Sequence, residues 1–144
     1  MNIRSGLSIL GLAITLACGG GGGSSSSYTA PTPAGPPANT VWVGGAGSYG
    51  GSGPTNFDPA TLTVAAGTSV SFVWKGGTHT LTSYAVSGSP TFPGVPMPGQ
   101  SAGTYTYQFN TAGTYYYRCE YHSAAPVDAN SVATGMMIGK VVVN

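Results

Sequence analysis

From Val41 to the C-terminus, apolar side chains recur at every second position in short runs. Val70, Phe72 and Trp74 share one parity within 68–74. Tyr105, Tyr107 and Phe109 alternate with Thr104, Thr106 and Gln108, and Tyr115, Tyr117 and Cys119 alternate with Tyr116 and Arg118. A period of two places each set on one face of a strand. The pattern predicts strands near 41–43, 61–65, 68–74, 79–86, 103–109, 114–119 and 137–143. Turn residues stand between them: Gly44-Gly45, Asp58-Pro59, Ala66-Gly67, Gly76-Gly77, the proline-rich stretch 90–99 and Ala112-Gly113. About seven to eight short strands at this spacing predict an all-β fold, a Greek-key β-sandwich. No segment carries a helical stripe, and only 123–133 leaves room for one short helical turn. Tyr115 and Tyr117 read as core, as do Trp42 and Trp74. Cys119 continues a buried row at the end of its strand, beside a loop.

The N-terminus follows a different pattern. Behind Arg4, residues 5–17 are uncharged and mostly apolar. That run has the size of a signal-peptide core and is too short to span a bilayer. It ends in Leu16-Ala17-Cys18-Gly19, which resembles a bacterial lipoprotein box, with Thr15 where leucine is commoner. The resemblance implies that Cys18 is lipidated and becomes the new N-terminus, and that Gly19 favours outer-membrane sorting in a Gram-negative cell. Each acyl chain adds about 0.8 kcal/mol of anchoring per buried CH₂. Residues 19–27 are Gly and Ser only, and Pro31, Pro33, Pro36 and Pro37 follow. A coil of that composition over 19–40 has an end-to-end distance of about 25 Å. The expected organisation is therefore a signal peptide over 1–17, a lipidated Cys with its tether over 18–40, and one domain over 41–144. The expected location is exported, in the periplasm or at the cell surface, with the lipid as membrane anchor.

Charge narrows the function classes. Charged residues are 5% of the chain. Beyond the leader, Lys75, Arg118 and Lys140 balance Asp58, Glu120 and Asp128. With no cluster of Lys and Arg to neutralise phosphates, nucleic acid is excluded as a partner. The three acidic residues show no spacing that would pair two carboxylates for acid–base catalysis, so no enzyme acting on a small-molecule substrate is expected. Lys75, Arg118 and Glu120 read as solvated charges. Leaving out the leader removes most of the leucine and isoleucine but none of the valine, tyrosine, phenylalanine or tryptophan, which are strand formers. If Cys18 carries lipid, Cys119 is a lone thiol in an oxidising compartment, a liability unless it is buried or holds a metal.

The candidate chemistry sits at three strand ends. Tyr117-Arg118-Cys119-Glu120-Tyr121-His122 contains Cys-x-x-His, His79 opens an upstream strand, and Met136 and Met137 precede the last one. Taken singly, each has an ordinary reading: a surface or hydrogen-bonded histidine, an inert buried thiol, core methionines. Together they form the His₂Cys set with a weak thioether that defines blue-copper electron-transfer sites. Thiolate couples strongly to copper, imidazole serves both oxidation states, and thioether favours Cu(I).

At this point the chain resembles the cupredoxins, in their plastocyanin/halocyanin-like branch. The resemblance covers about 56–144. It rests on Phe57-Asp58-Pro59-Ala60-Thr61-Leu62-Thr63-Val64, Val70-Ser71-Phe72-Val73-Trp74, His79-Thr80, the run from Gly113 to His122, and Met137-Ile138-Gly139-Lys140-Val141-Val142-Val143. It implies one copper ion cycling between Cu(I) and Cu(II), held by His79, Cys119, His122 and Met137, with Met136 as the alternative axial ligand. It also implies a one-electron carrier exchanging with a redox protein donor and acceptor, with His122 as the electron gateway. Two departures stand out. Thr80 occupies a position where many members have Asn. Ser123 to Gly135 forms an insertion between His122 and Met137. Tyr121 and the 90–99 stretch are candidates for the rim of the site. Two other readings use the same residues differently: an envelope copper-binding or delivery protein, and a structural sandwich such as an adhesion module. A copper oxidase or nitrite reductase needs further copper centres, and two histidines cannot supply them.

Overall fold

A computed structural model describes residues 34–45 and 55–144. The leader, Cys18 and the tether as far as residue 33 lie outside the described residues.

Eleven strands are described: β1 Thr40–Val43, β2 Phe57–Asp58, β3 Thr61–Val64, β4 Thr68–Trp74, β5 His79–Tyr84, β6 Val95–Gln100, β7 Thr104–Phe109, β8 Gly113–Arg118, β9 Ser123–Ala124, β10 Thr134–Gly135 and β11 Ile138–Val143. No helix occurs among the described residues. Each of the seven expected strands is present. They form a four-stranded sheet in the order β2-β1-β4-β7 and a five-stranded sheet in the order β3-β11-β8-β5-β6. Two pairs run parallel, β1 with β4 and β3 with β11; the remaining pairs are antiparallel. The chain reaches those parallel neighbours by crossing between the sheets, as in an all-β sandwich. Pairing with β4 begins slightly before the expected boundary at 41, since the Asn39 carbonyl accepts the Ser71 N–H at 3.0 Å.

The predicted alternation is what fills the core. Val70, Phe72 and Trp74 of β4 and Tyr115 and Tyr117 of β8 are buried, and so are Val141 and Val143 of β11. The two sheets meet through aromatic edges: Tyr117 stands against Phe72 at 5.4 Å between centroids and against Phe57 at 4.8 Å, both near perpendicular. Phe92, from the proline-rich stretch, stacks on Phe72 at 5.9 Å. Aromatic pairs of this geometry add stability beyond the area they bury.

Four strands were not expected. β2 is two residues long and begins at Phe57, too short to show alternation. β6 begins inside the stretch 90–99, which reads as turn because of Pro96 and Pro98, and runs on to Gln100. It is an edge strand of its sheet, where proline is tolerated because the outer N–H groups have no ladder partner. β9 and β10 form a separate two-stranded ladder within 123–135, and no helical turn forms there. Asp128 instead closes a turn by accepting the amides of Asn130 at 2.8 Å and Ser131 at 2.9 Å, together with the Ser131 hydroxyl at 3.0 Å. These bonds, the Asn130 amide foremost, hold the Asp128 carboxyl below its ordinary pKa.

Four side chains also differ from expectation. Trp42 is only half-buried, and Lys75 Nζ lies over its ring at 4.8 Å rather than free in solvent. Arg118 and Glu120 form an ion pair at 3.3 Å.

Candidate metal centre

Three strand ends meet at one end of the sandwich. His79 is the first residue of β5, Cys119 follows β8 directly, and Met137 immediately precedes β11. Strand alternation along β8 turns Cys119 inward behind Tyr115 and Tyr117, so the thiol is fully buried. The backbone seals this register, since the Cys119 N–H donates to the Met137 carbonyl at 3.0 Å.

The ligand atoms converge. Cys119 Sγ lies 3.3 Å from His122 Nδ1 and 3.7 Å from His79 Nδ1. One ligand atom from each residue falls within 4.8 Å of the others, a spacing that could hold a metal ion. The imidazole centroids are 5.0 Å apart. Both rings present the same nitrogen, Nδ1, to the sulfur. Two nitrogens and a thiolate sulfur form the donor set preferred by copper in electron-transfer sites. His79 is 2% exposed, whereas His122 is half-buried and reaches the surface.

The two methionines separate cleanly. Met137 is fully buried, and Met136 is 72% exposed. Alternation into β11 accounts for this: Met137, Gly139, Val141 and Val143 face inward. Of the two, only Met137 is placed inside the domain beside Cys119.

His79 is positioned by backbone as much as by packing. A Cβ on Gly44 would lie 2.5 Å from His79 Nε2, and one on Gly77 would lie 2.7 Å from it. Both glycines have positive φ, 66° and 73°, so no other residue fits there without strain. Behind the ring, Trp74 Nε1 donates to the His79 carbonyl at 3.1 Å. The double-glycine turns at 44–45 and 76–77 carry the sequence signal for this cradle, but it reads only as turn chemistry until the strands are assembled.

Thr80, the departure from the family pattern, is fully buried and accepts the Glu120 N–H at 2.8 Å. The insertion does not separate His122 from Met137. Ser123 pairs with Gly135 and Ala124 with Thr134, and the Met136 N–H donates to the His122 carbonyl at 3.1 Å. Ala133 is buried, while Val127 at the far end is 91% exposed. Tyr121 is 47% exposed, and its hydroxyl donates to the Pro98 carbonyl at 3.0 Å, which ties the ligand turn to β6. Tyr121 therefore adjoins His122, at 6.4 Å between ring centroids, and the 90–99 stretch is tied to it through Pro98.

No protein-family model and no curated protein matches the chain. Among solved structures it is similar to a purple cupredoxin from Nitrosopumilus maritimus, at 22% identity and TM-score 0.50, over 75% of this chain and 100% of that one. It is likewise similar to the oxidised form of plastocyanin from Dryopteris crassirhizoma, at 23% identity and TM-score 0.51, over 73% of this chain and 99% of that one. The two-sheet sandwich that carries His79, Cys119, His122 and Met137 therefore has the cupredoxin fold.

Proposed function

We propose that the protein is a one-electron carrier holding a single type 1 copper, exported and tethered to a cell-envelope membrane through Cys18. The observation that carries this reading is the convergence of two Nδ1 atoms on a buried thiol, with Met137 buried beside them. Copper bound there would supply a one-electron couple between Cu(II) and Cu(I). His79, Cys119 and His122 would hold the ion as strong ligands, and the buried Met137 would offer a weak thioether donor. The chain contributes rigidity: two glycines hold His79, and a backbone bond fixes Cys119 against Met137. A ligand set that moves little suits both oxidation states. His122, half-exposed, is the route by which an electron reaches a partner. No substrate is transformed.

Beyond the leader, Lys75, Arg118 and Lys140 balance Asp58, Glu120 and Asp128, so docking of a redox partner relies on uncharged surface. Electron transfer to a partner is then weakly dependent on ionic strength; a steep dependence would exclude docking of this kind. The half-exposed His122 also leaves room for a second reading, an envelope copper-delivery protein. The two part on metal retention: a carrier cycles repeatedly without losing copper, and a delivery protein yields it to an acceptor.

The test is visible absorption and EPR of the purified protein after adding Cu(II), beside Cys119→Ser. An intense thiolate-to-copper band with narrow hyperfine splitting, abolished in Cys119→Ser, is expected. No band in the unaltered protein would leave a structural sandwich as the better reading.

A further inference from the structure

His122 stands in a turn at the edge of the core. Glu120 and His122 are half-buried and Tyr121 is exposed, and the chain beyond runs out into the 123–135 excursion. Hydrogen bonds set where this turn lies: the His122 N–H donates to the Cys119 carbonyl, the Met136 N–H to the His122 carbonyl and the Tyr121 hydroxyl to the Pro98 carbonyl, and a further group of bonds meets at Glu120. Its backbone N–H donates to Thr80 Oγ1 at 2.8 Å. Its carboxylate accepts from Arg118 Nη2 at 3.3 Å. The other arm of the guanidinium, Nη1, donates to the Ser123 carbonyl at 3.2 Å, and the Ser123 hydroxyl donates to the Cys119 carbonyl at 2.7 Å. Arg118 thus spans the turn from residue 120 to residue 123. Thr80 takes a second hydrogen bond from the Thr82 hydroxyl at 3.1 Å, which fixes its own rotamer.

Exposed ion pairs contribute little, but this one is not exposed in that sense. The Arg118 side chain is 11% exposed and the Glu120 side chain 26%. Arg118 also makes a second bond that a lysine could not make in the same geometry, because only guanidinium presents two donors in a fixed fork. Thr80 lies next to His79 in the chain, and Glu120 lies next to Cys119. A bond between Thr80 and Glu120 therefore couples the positions of two metal-binding side chains from different strands.

We infer that Thr80 and Arg118 are positioning residues, gripping Glu120 by its backbone and its carboxylate so that Cys119 Sγ and His122 Nδ1 keep a fixed separation. The inference rests on the copper reading of the site. Arg118 does this work from the position just before Cys119, and neither residue is itself a ligand.

The test uses Thr80→Val, Thr80→Ser, Arg118→Met and the double variant Thr80→Val with Arg118→Met. Copper affinity is read by competition with a chromophoric chelator, and the thiolate-to-copper bands and EPR hyperfine splitting are recorded. Loss of groups that orient metal ligands costs about 10–100-fold in affinity. Thr80→Val and Arg118→Met are each expected to weaken copper binding by about that factor and to alter the band ratio. Thr80→Ser, which keeps the acceptor, is expected to restore both. Because both bonds act on Glu120, the double variant is expected to lose less than the sum of the single losses.

Unaltered affinity and spectrum in Thr80→Val and Arg118→Met would overturn the inference. So would a lower melting temperature with an unaltered spectrum, which is what a purely structural role predicts. If Thr80→Val does not fold, Arg118→Met decides by the same criteria. Absence of the thiolate-to-copper band in the unaltered protein would overturn the copper reading and this inference with it. Unaltered variants of a protein that does show the band would overturn this inference alone.

Discussion

Replacing Tyr117 by phenylalanine is expected to stabilise the metal-free domain. Tyr117 is fully buried, edge-on to Phe57 and Phe72, and its hydroxyl has no hydrogen-bond partner among the described residues. A buried polar group left unpaired costs about 1–3 kcal/mol. Against this stands the packing of the oxygen over Gly139, where an added Cβ would lie 2.7 Å from it. The ring itself remains in Tyr117→Phe, so the aromatic contacts persist. The net expectation is a gain of about 1 kcal/mol, a rise in Tm of roughly 4 °C or more for a domain of this size. The alkaline limb gives a second reading of the same group. Burial raises the Tyr117 pKa far above its ordinary value of 10.0. The unfolded chain therefore loses this proton as pH passes about 10, while the folded chain retains it. Below that pH this group adds no pH dependence; above it the unfolded state holds fewer protons than the folded one, and stability falls by about 1.4 kcal/mol per pH unit. Tyr117→Phe removes one proton from that slope, leaving the smaller contributions of Tyr84 and Tyr105, which burial also raises. Denaturant unfolding of the metal-free protein at neutral pH and above pH ~10 measures both effects. A Tyr117→Phe variant less stable than its parent at neutral pH, with an unchanged alkaline slope, would refute the reasoning.

Two further substitutions test the site. Met137→Leu is expected to lower copper affinity and change the spectrum, whereas Met136→Leu, at an exposed position, leaves both unchanged; equal effects would show that burial does not mark the axial ligand. Gly77→Ala forces a Cβ against His79 Nε2 at a positive φ, a conformation costing about 1–2 kcal/mol. It is therefore expected to lower Tm and to weaken copper binding, read by melting and by chelator competition, and wild-type values for both would remove the cradle from the account.

Much of this site is legible in the chain because strand periodicity and ligand chemistry coincide. The alternation through Tyr115, Tyr117 and Cys119 says which way the thiol faces, and Cys-x-x-His says which imidazole reaches it. His79 is legible as the histidine that opens a strand. What periodicity cannot reach is whatever depends on two segments meeting. The glycines at 44 and 77 read as turns, and only the assembled sheets show them on either side of one imidazole. Arg118 and Glu120 read as solvated charges because their parity points away from the core; their pairing across the ligand turn is tertiary. β6 is hidden by its prolines, which argue against a strand anywhere except at an edge. Met136 and Met137 are adjacent, so composition treats them alike, and the register of β11 alone separates a buried thioether from an exposed one.

The insertion shows why sequence spacing is a poor guide to metal geometry. Extending the connection between His122 and Met137 by some ten residues costs only about 1 kcal/mol of loop-closure entropy, because that cost grows with the logarithm of length. The ends matter far more than the middle. Here they are closed by the β9–β10 ladder and by the bond from the Met136 N–H to the His122 carbonyl. Gly135 permits that closure, since a Cβ at its φ of 129° would meet the His122 carbonyl oxygen at 2.6 Å. The excursion beyond the ladder is thus mechanically separable from the ligands. Replacing residues 125–133 by a two-residue Asn-Gly turn, the sequence favoured for joining adjacent antiparallel strands, is expected to leave the copper spectrum and affinity intact. The domain is expected to lose a little stability through the buried Ala133. A collapsed or shifted spectrum in that deletion would mean that the excursion itself positions His122, and that the ladder at its base is not enough.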